Sequence, residues 1–151
     1  GSGIAPVREM RNAGVNVGIG VDGSASNDAG NLVSEARLAM LLQRIAKGAD
    51  AMSAREALEM ATRGGAAVLG RDDCGQIAPG KRADIAIWDV SGIESAGSWD
   101  TAALLLAGPT KVRDLFVEGR AVVRGGVLST IDLPNVIEQQ NRLAAELAQN
   151  G

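Results

Sequence analysis

With 151 residues, 46% of them hydrophobic, and a net charge of −3, the chain has the length of one domain or of parts of two, and enough apolar matter for a core. That composition excludes disorder, and scattered basic residues without an aromatic platform give no reason to expect a nucleic-acid partner. No apolar run approaches the roughly 20 residues that cross a bilayer, no basic-then-apolar leader opens the chain, and the single cysteine, Cys74, excludes an internal disulfide framework, so a soluble cytoplasmic protein is the default expectation.

In chain order, Pro6 in a first turn and Gly14 as a stop predict a short helix over residues 6–13. Val15, Val17, Ile19 and Val21 alternate with Asn16, Gly18 and Gly20, the pattern of a buried strand. The glycines there let another backbone or a ligand come close. Residues 22–30 are too small and too polar to pack a core and read as a loop. Asn31 is a natural N-cap for a long helix running to Lys47 and stopped by Gly48. On that helix Leu32, Val33, Ala36, Ala39, Met40, Gln43 and Ile45 are expected to form the buried stripe. Ser53 and Glu56 have capping-box spacing and start a second helix over 54–63, interrupted by Gly64-Gly65, with 66–69 as a last turn.

After Gly70 the texture changes. A turn-rich connection over 75–84 leads into the apolar run Ile85-Ala86-Ile87-Trp88, read as a strand. A helical turn or two is expected over 101–107. Residues 111–117 and 120–123 alternate as strands across Glu118-Gly119, a hairpin signal, and Gly125-Gly126 turns the chain into Val127-Leu128. Residues 135–149 have the pattern of an amphipathic helix, a candidate oligomer interface. The first third thus reads as part of an alternating β/α unit and the latter half as hairpins of a small sheet. A single strand of a parallel sheet has no pairing partner here, which raises the expectation that the chain is a fragment.

The site-like stretch is Gly18-Ile19-Gly20-Val21-Asp22-Gly23-Ser24-Ala25-Ser26-Asn27-Asp28. The apolar run delivers Asp22 to a glycine-flanked turn, as a strand end presents a carboxylate to a pocket. A carboxylate that helps hold a catalytic metal normally has imidazole partners, and this chain has no histidine.

These residues carry a family resemblance. The segment 17–28 resembles the last barrel strand of the amidohydrolase superfamily, closest to its aminohydrolase branch. The run Gly75-Gln76-Ile77-Ala78-Pro79-Gly80-Lys81-Arg82-Ala83-Asp84-Ile85 resembles the connection where that superfamily leaves its barrel for a small β-sandwich, and 112–120 resembles the hairpin that follows. Within the branch, Gly20-Val21-Asp22-Gly23-Ser24-Ala25-Ser26-Asn27-Asp28 is most similar to the 8-oxoguanine deaminase and hydroxyatrazine-type groups. The likeness covers nearly all of this chain but about the final third of a full-length member.

The resemblance implies an α/β fold: the C-terminal part of a metal-dependent (β/α)8 TIM barrel over 1–70, part of a β-sandwich over 71–130, and a C-terminal helix over 131–151. It implies a metal, zinc or iron, at the C-terminal ends of the barrel strands. Asp22 matches the aspartate that the family uses both as metal ligand and as acceptor of the proton from the metal-bound water that attacks an amino-bearing ring carbon. The implied reaction is deamination of an N-heterocycle such as 8-oxoguanine, guanine or a triazine, and the implied partner is that small molecule. The chain departs from the pattern by lacking every histidine ligand and the upstream glutamate, so alone it is expected to be inactive.

Bland readings stand beside these. Asp22 could merely turn a loop. Ser26 and Asn27, and less strongly Ser24 and Asp28, could touch substrate or orient Asp22, or could only satisfy loop backbone groups. The alternate oxygens of Asp22, Ser24, Ser26 and Asp28 resemble the start of a calcium loop, but Asn27 and Val33 stand where that loop needs glycine and glutamate. Gly18-x-Gly20 lacks the remaining glycine of a dinucleotide fingerprint. The competing functions are a non-catalytic structural module and a small ligand-binding α/β protein.

Overall fold

The computed structural model describes residues 3–27 and 29–150. Asp28 lies outside the described residues. The first half is helical: α1 (Val7–Asn12), α2 (Leu32–Lys47), α3 (Ala54–Glu59), a π turn (Met60–Gly64) and α4 (Gly65–Val68). The second half holds β1 (Ile85–Asp89), a 3-10 turn (Ile93–Ser95), α5 (Thr101–Ala107), β2 (Lys111–Val117), β3 (Arg120–Arg124), β4 (Val127–Leu128) and α6 (Leu133–Asn150).

The helix starts follow local chemistry. Asn31 caps α2, its side chain accepting from Val33 N and Ser34 N. Ser53 and Glu56 close a reciprocal capping box at α3. The four strands form one antiparallel meander in the order β1-β2-β3-β4. At the β2–β3 turn, Glu118 and Gly119 have φ of 49° and 76°. Both are positive, as the two-residue turns that match strand twist require. The chain entering β1 is tied to that turn: Asp84 accepts from Glu118 N at 2.8 Å, and Gly119 N donates to Ala83 O at 3.0 Å. Arg82 extends the tie, pairing with Asp73 at 2.8 Å and also with Glu118, while Arg71 pairs with Asp73 at 2.7 Å.

The core lies among the helices: Ala36, Met40, Met52, Ala57, Met60 and Leu106 are buried together. Leu106 brings α5 onto α2 and α3, and full burial of such a side chain contributes about 1.5–3 kcal/mol. Gln43 is the buried polar member of α2. It accepts from Arg8 N and donates to Ala5 O, so the amide is satisfied and holds the segment before α1.

Two expectations are corrected. Leu32, 38% exposed, lies outside the buried stripe, and so does Ile45, at 78%. At about 100° per residue Ile45 stands opposite Ala36, where Leu38 and Leu41 are also exposed. Residues 15–21 are extended but form no strand, and they are half-buried or exposed. A strand needs a ladder partner, and the described strands all pair with one another in the meander. The alternation is still used: Val17 and Ile19 pack against the helical core.

The Gly64-Gly65 pair does not end the helix but lies at the junction of the π turn and α4. There the helix meets the extended segment. A Cβ on Gly64 would lie 2.3 Å from Val17 O, and one on Gly18 would lie 3.0 Å from Gly65 Cα. Backbone therefore packs on backbone: a side chain at Gly64 would force the backbone apart, and one at Gly18 would be tightly crowded. Along α6 the described side chains are exposed, with Val136, Ile137, Leu143 and Leu147 on one stripe. No helix of the described residues is long and apolar enough to cross a membrane.

Candidate functional site

The extended segment, held down at Gly18, ends at Asp22. Asp22 has φ of +63°. Only one other described non-glycine residue, the turn residue Glu118, has a positive φ. The left-handed region disfavours a residue with a Cβ, although aspartate tolerates it better than most. A backbone held there costs on the order of 1–3 kcal/mol and is characteristic of functional sites. Asp22 Oδ1 accepts from Gly23 N at 2.7 Å. Oδ2 has no hydrogen bond to the described residues, and the side chain is exposed. The carboxylate is thus oriented through one oxygen and open at the other.

The loop beyond is a tight turn. Ser26 N and Asn27 N both donate to Gly23 O, at 2.9 and 3.0 Å. Ser24 and Ser26 are exposed, and their hydroxyls make no hydrogen bond among the described residues. Asn27 is half-buried and engaged at both ends of its amide. Its Nδ2 donates to Glu35 Oε1 at 2.7 Å, and its Oδ1 accepts from Ala29 N at 3.1 Å. Of the candidate site residues, the structure therefore leaves Asp22, Ser24 and Ser26 open, turns Asn27 toward α2, and does not describe Asp28. Glu35 was not singled out from sequence. An acid in the first turn of a helix is expected from the macrodipole alone, and its link to Asn27 runs through loop geometry.

Under the extended segment is a mostly apolar cleft of about 260 Å³, lined by Val17, Gly18, Ile19, Gly20, Glu35 and Leu38 among others. A larger groove of about 600 Å³ runs between the helices and the sheet, past Asn31, Leu58, Trp88 and Val112. Neither collects ionisable groups. Among the described residues no group of three or more His, Cys, Asp or Glu side chains could hold a metal ion. A zinc site takes about four ligands. Asp22 suits one of those places, so the residues present do not make a metal site by themselves.

Comparison with known proteins gives this geometry a context. The amidohydrolase family model matches residues 1–122. The chain is 43% identical over 147 residues to an 8-oxoguanine deaminase from Pseudomonas aeruginosa, covering 97% of this chain and 33% of that protein. It superimposes on the crystal structure of an adenosine deaminase from Xanthomonas campestris with bound zinc (TM-score 0.90, 30% identity, 98% of this chain and 35% of that one). It also superimposes on atrazine chlorohydrolase from Arthrobacter aurescens TC1 complexed with zinc (TM-score 0.86, 40% identity, 93% and 32%). The chain spans about a third of the length of these relatives. The fold class is as expected: the chain is a partial α/β fold with a small antiparallel sheet, and it matches about a third of the length of amidohydrolase TIM-barrel enzymes. With the family model matching most of its length, the chain belongs to the amidohydrolase family.

Proposed function

We propose that this chain contributes Asp22 to a metal-dependent aminohydrolase that hydrolytically deaminates an amino-substituted N-heterocycle. The observation that carries the reading is the Asp22 carboxylate, set in a left-handed backbone at the end of the extended segment, with Oδ1 fixed by Gly23 N and Oδ2 open. Family membership and relatives named as purine deaminases support the chemistry. Relatives solved with zinc support the metal. Under this reading residues 1–70 belong to the barrel, 71–130 to the β domain and 131–151 to a closing helix. The remaining metal ligands come from outside this chain, which alone is inactive.

A divalent zinc, when bound, lowers the pKa of water and polarises the ring carbon's surroundings. The work of this chain is done at Asp22. Its open oxygen takes a proton from the attacking water as the new C–O bond forms at the amino-bearing carbon. That proton then goes to the departing nitrogen, the C–N bond breaks and ammonia leaves; the hydroxyl left on the carbon gives its remaining proton to the neighbouring ring nitrogen and becomes the carbonyl. A positioned carboxylate doing this contributes roughly 10²–10⁴-fold. The left-handed φ fixes the carboxylate in advance, so little reorganisation is needed at the moment of transfer.

The test is ammonia release from a panel of purines, pterins and amino-triazines. The protein is made from the complete coding sequence and assayed beside Asp22→Asn, which keeps the shape and tolerates the same φ. Turnover of at least one heterocycle by wild type and its collapse in the variant is the expected result. A wild type that binds a heterocycle and releases no ammonia from any would favour the non-catalytic reading.

A further inference from the structure

Resting on the reading of Asp22 above, we propose that Glu35 is a positioning residue for the catalytic loop, acting through Asn27 to hold Asp22 in place. The chain of contacts is short. Glu35 Oε1 accepts from Asn27 Nδ2 at 2.7 Å. Asn27 N donates to Gly23 O at 3.0 Å, and Gly23 N donates to Asp22 Oδ1 at 2.7 Å. A carboxylate can only accept, so Glu35 fixes which end of the Asn27 amide faces it. The other end must then face Ala29 N, and it does, at 3.1 Å.

Four observations make this more than a surface hydrogen bond. Asp22, Gly23, Ser24, Ala25 and Ser26 are all exposed, whereas Asn27 and Glu35 are half-buried. Apart from the local Asn31 cap, this is the side-chain bond that joins the loop to a helix among the described residues. Glu35 also lines the mostly apolar cleft under residues 17–20. A carboxylate there needs a partner, and Asn27 supplies it. Finally, the strained φ of Asp22 persists only if its surroundings hold it, and the loop's exposed part has little packing to do so. Asn27 is thereby assigned to the frame and not to substrate contact.

The test uses Glu35→Ala, Glu35→Gln, Asn27→Ala and the Asn27→Ala/Glu35→Ala double variant, made from the complete coding sequence. Two readouts are taken: amide hydrogen exchange of peptides covering residues 22–31, and kcat and KM for ammonia release from a heterocycle that wild type turns over. Either alanine variant should speed loop exchange and lower kcat by roughly tenfold to a hundredfold with KM little changed. Glu35→Gln, which still accepts from Asn27, should restore both. The double variant should be no worse than the singles. Unchanged exchange in both alanine variants overturns the proposal. So does a rise in KM at constant kcat, or a glutamine variant as impaired as alanine. Asn27→Ala breaks the bond without touching α2, so a fold defect of Glu35→Ala does not decide the matter. Full turnover in Asp22→Asn would instead remove the catalytic reading, while the exchange data would still report on the tie.

Discussion

The two halves of this molecule solve the same problem differently. In the sheet, every strand pairs with the next in sequence, β2 with β3 and β3 with β4 across tight turns and β1 with β2 across the connection that carries α5, and the meander closes its own hydrogen bonds. In the helical half, residues 15–21 have strand-like alternation and no ladder, and are held instead by Gly18 against Gly64-Gly65 and by Val17 and Ile19 against the core. The self-sufficient half carries no candidate chemistry. The half with the unpaired, strand-like segment carries Asp22. Parallel strands pair through long crossovers, so a catalytic strand end of an α/β barrel depends on distant residues in a way a hairpin does not.

The sharpest way to break this contrast is Gly64→Ala. The added methyl meets the Val17 carbonyl at 2.3 Å, a backbone atom that cannot rotate away. Destabilisation of about 3 kcal/mol is expected in denaturant unfolding, with faster exchange across residues 15–27. Gly20→Ala, with nothing within 4 Å of the new Cβ, should have a far smaller effect on both. Equal effects would mean that the close approach does not anchor the segment.

A smaller effect is expected at α3. Ser53→Ala removes the Ser53 half of the capping box and should cost about 1 kcal/mol in the same unfolding measurement. The box also has a pH signature. The Ser53 N–H and hydroxyl hold the Glu56 carboxyl below its ordinary value of 4.5. A depressed carboxyl stabilises the fold above the unfolded value and loses that contribution as pH falls below it. Wild type should therefore lose stability relative to Ser53→Ala as pH is lowered from 5 to 3, and parallel curves would count against the box.

The smallest effect belongs to the connection into the sheet. Arg71, then Arg82, hold the Asp73 carboxyl far below its ordinary value of 3.8. By the same sign, that network stabilises at neutral pH and fades only in strong acid. All three side chains are exposed, so salt screens them and Asp73→Asn should shift the melting temperature only slightly. A shift larger than that of Ser53→Ala would mean that the sheet leans on this network more than on its own ladder.

What could be read from sequence follows the same division. Asn31, the Ser53–Glu56 pair and the Glu118-Gly119 turn were legible because each is a local device whose partners lie within a few residues. Asp22 was legible because a carboxylate after an alternating apolar run and before a glycine-rich turn is a local pattern too. The missing partner of residues 15–21 was legible, since no second parallel strand is in the sequence, but its consequence was not: alternation reports a preference for pairing, and without a partner no strand forms. Ile45 was misplaced because α2 is apolar on two sides, and periodicity alone does not say which side this chain covers. Glu35 escaped notice because its meaning depends on where a loop folds back, not on any spacing.

The central claim is that Asp22 is the catalytic carboxylate, and its most direct test combines two measurements on one sample of Asp22→Asn made from the complete coding sequence. Ammonia release and bound metal are measured against wild type, with the melting temperature as a check on folding. The account predicts turnover reduced by roughly 10²–10⁴-fold, weakened metal retention and a melting temperature close to wild type. Turnover and metal content equal to wild type would contradict it and return Asp22 to the role of a loop residue.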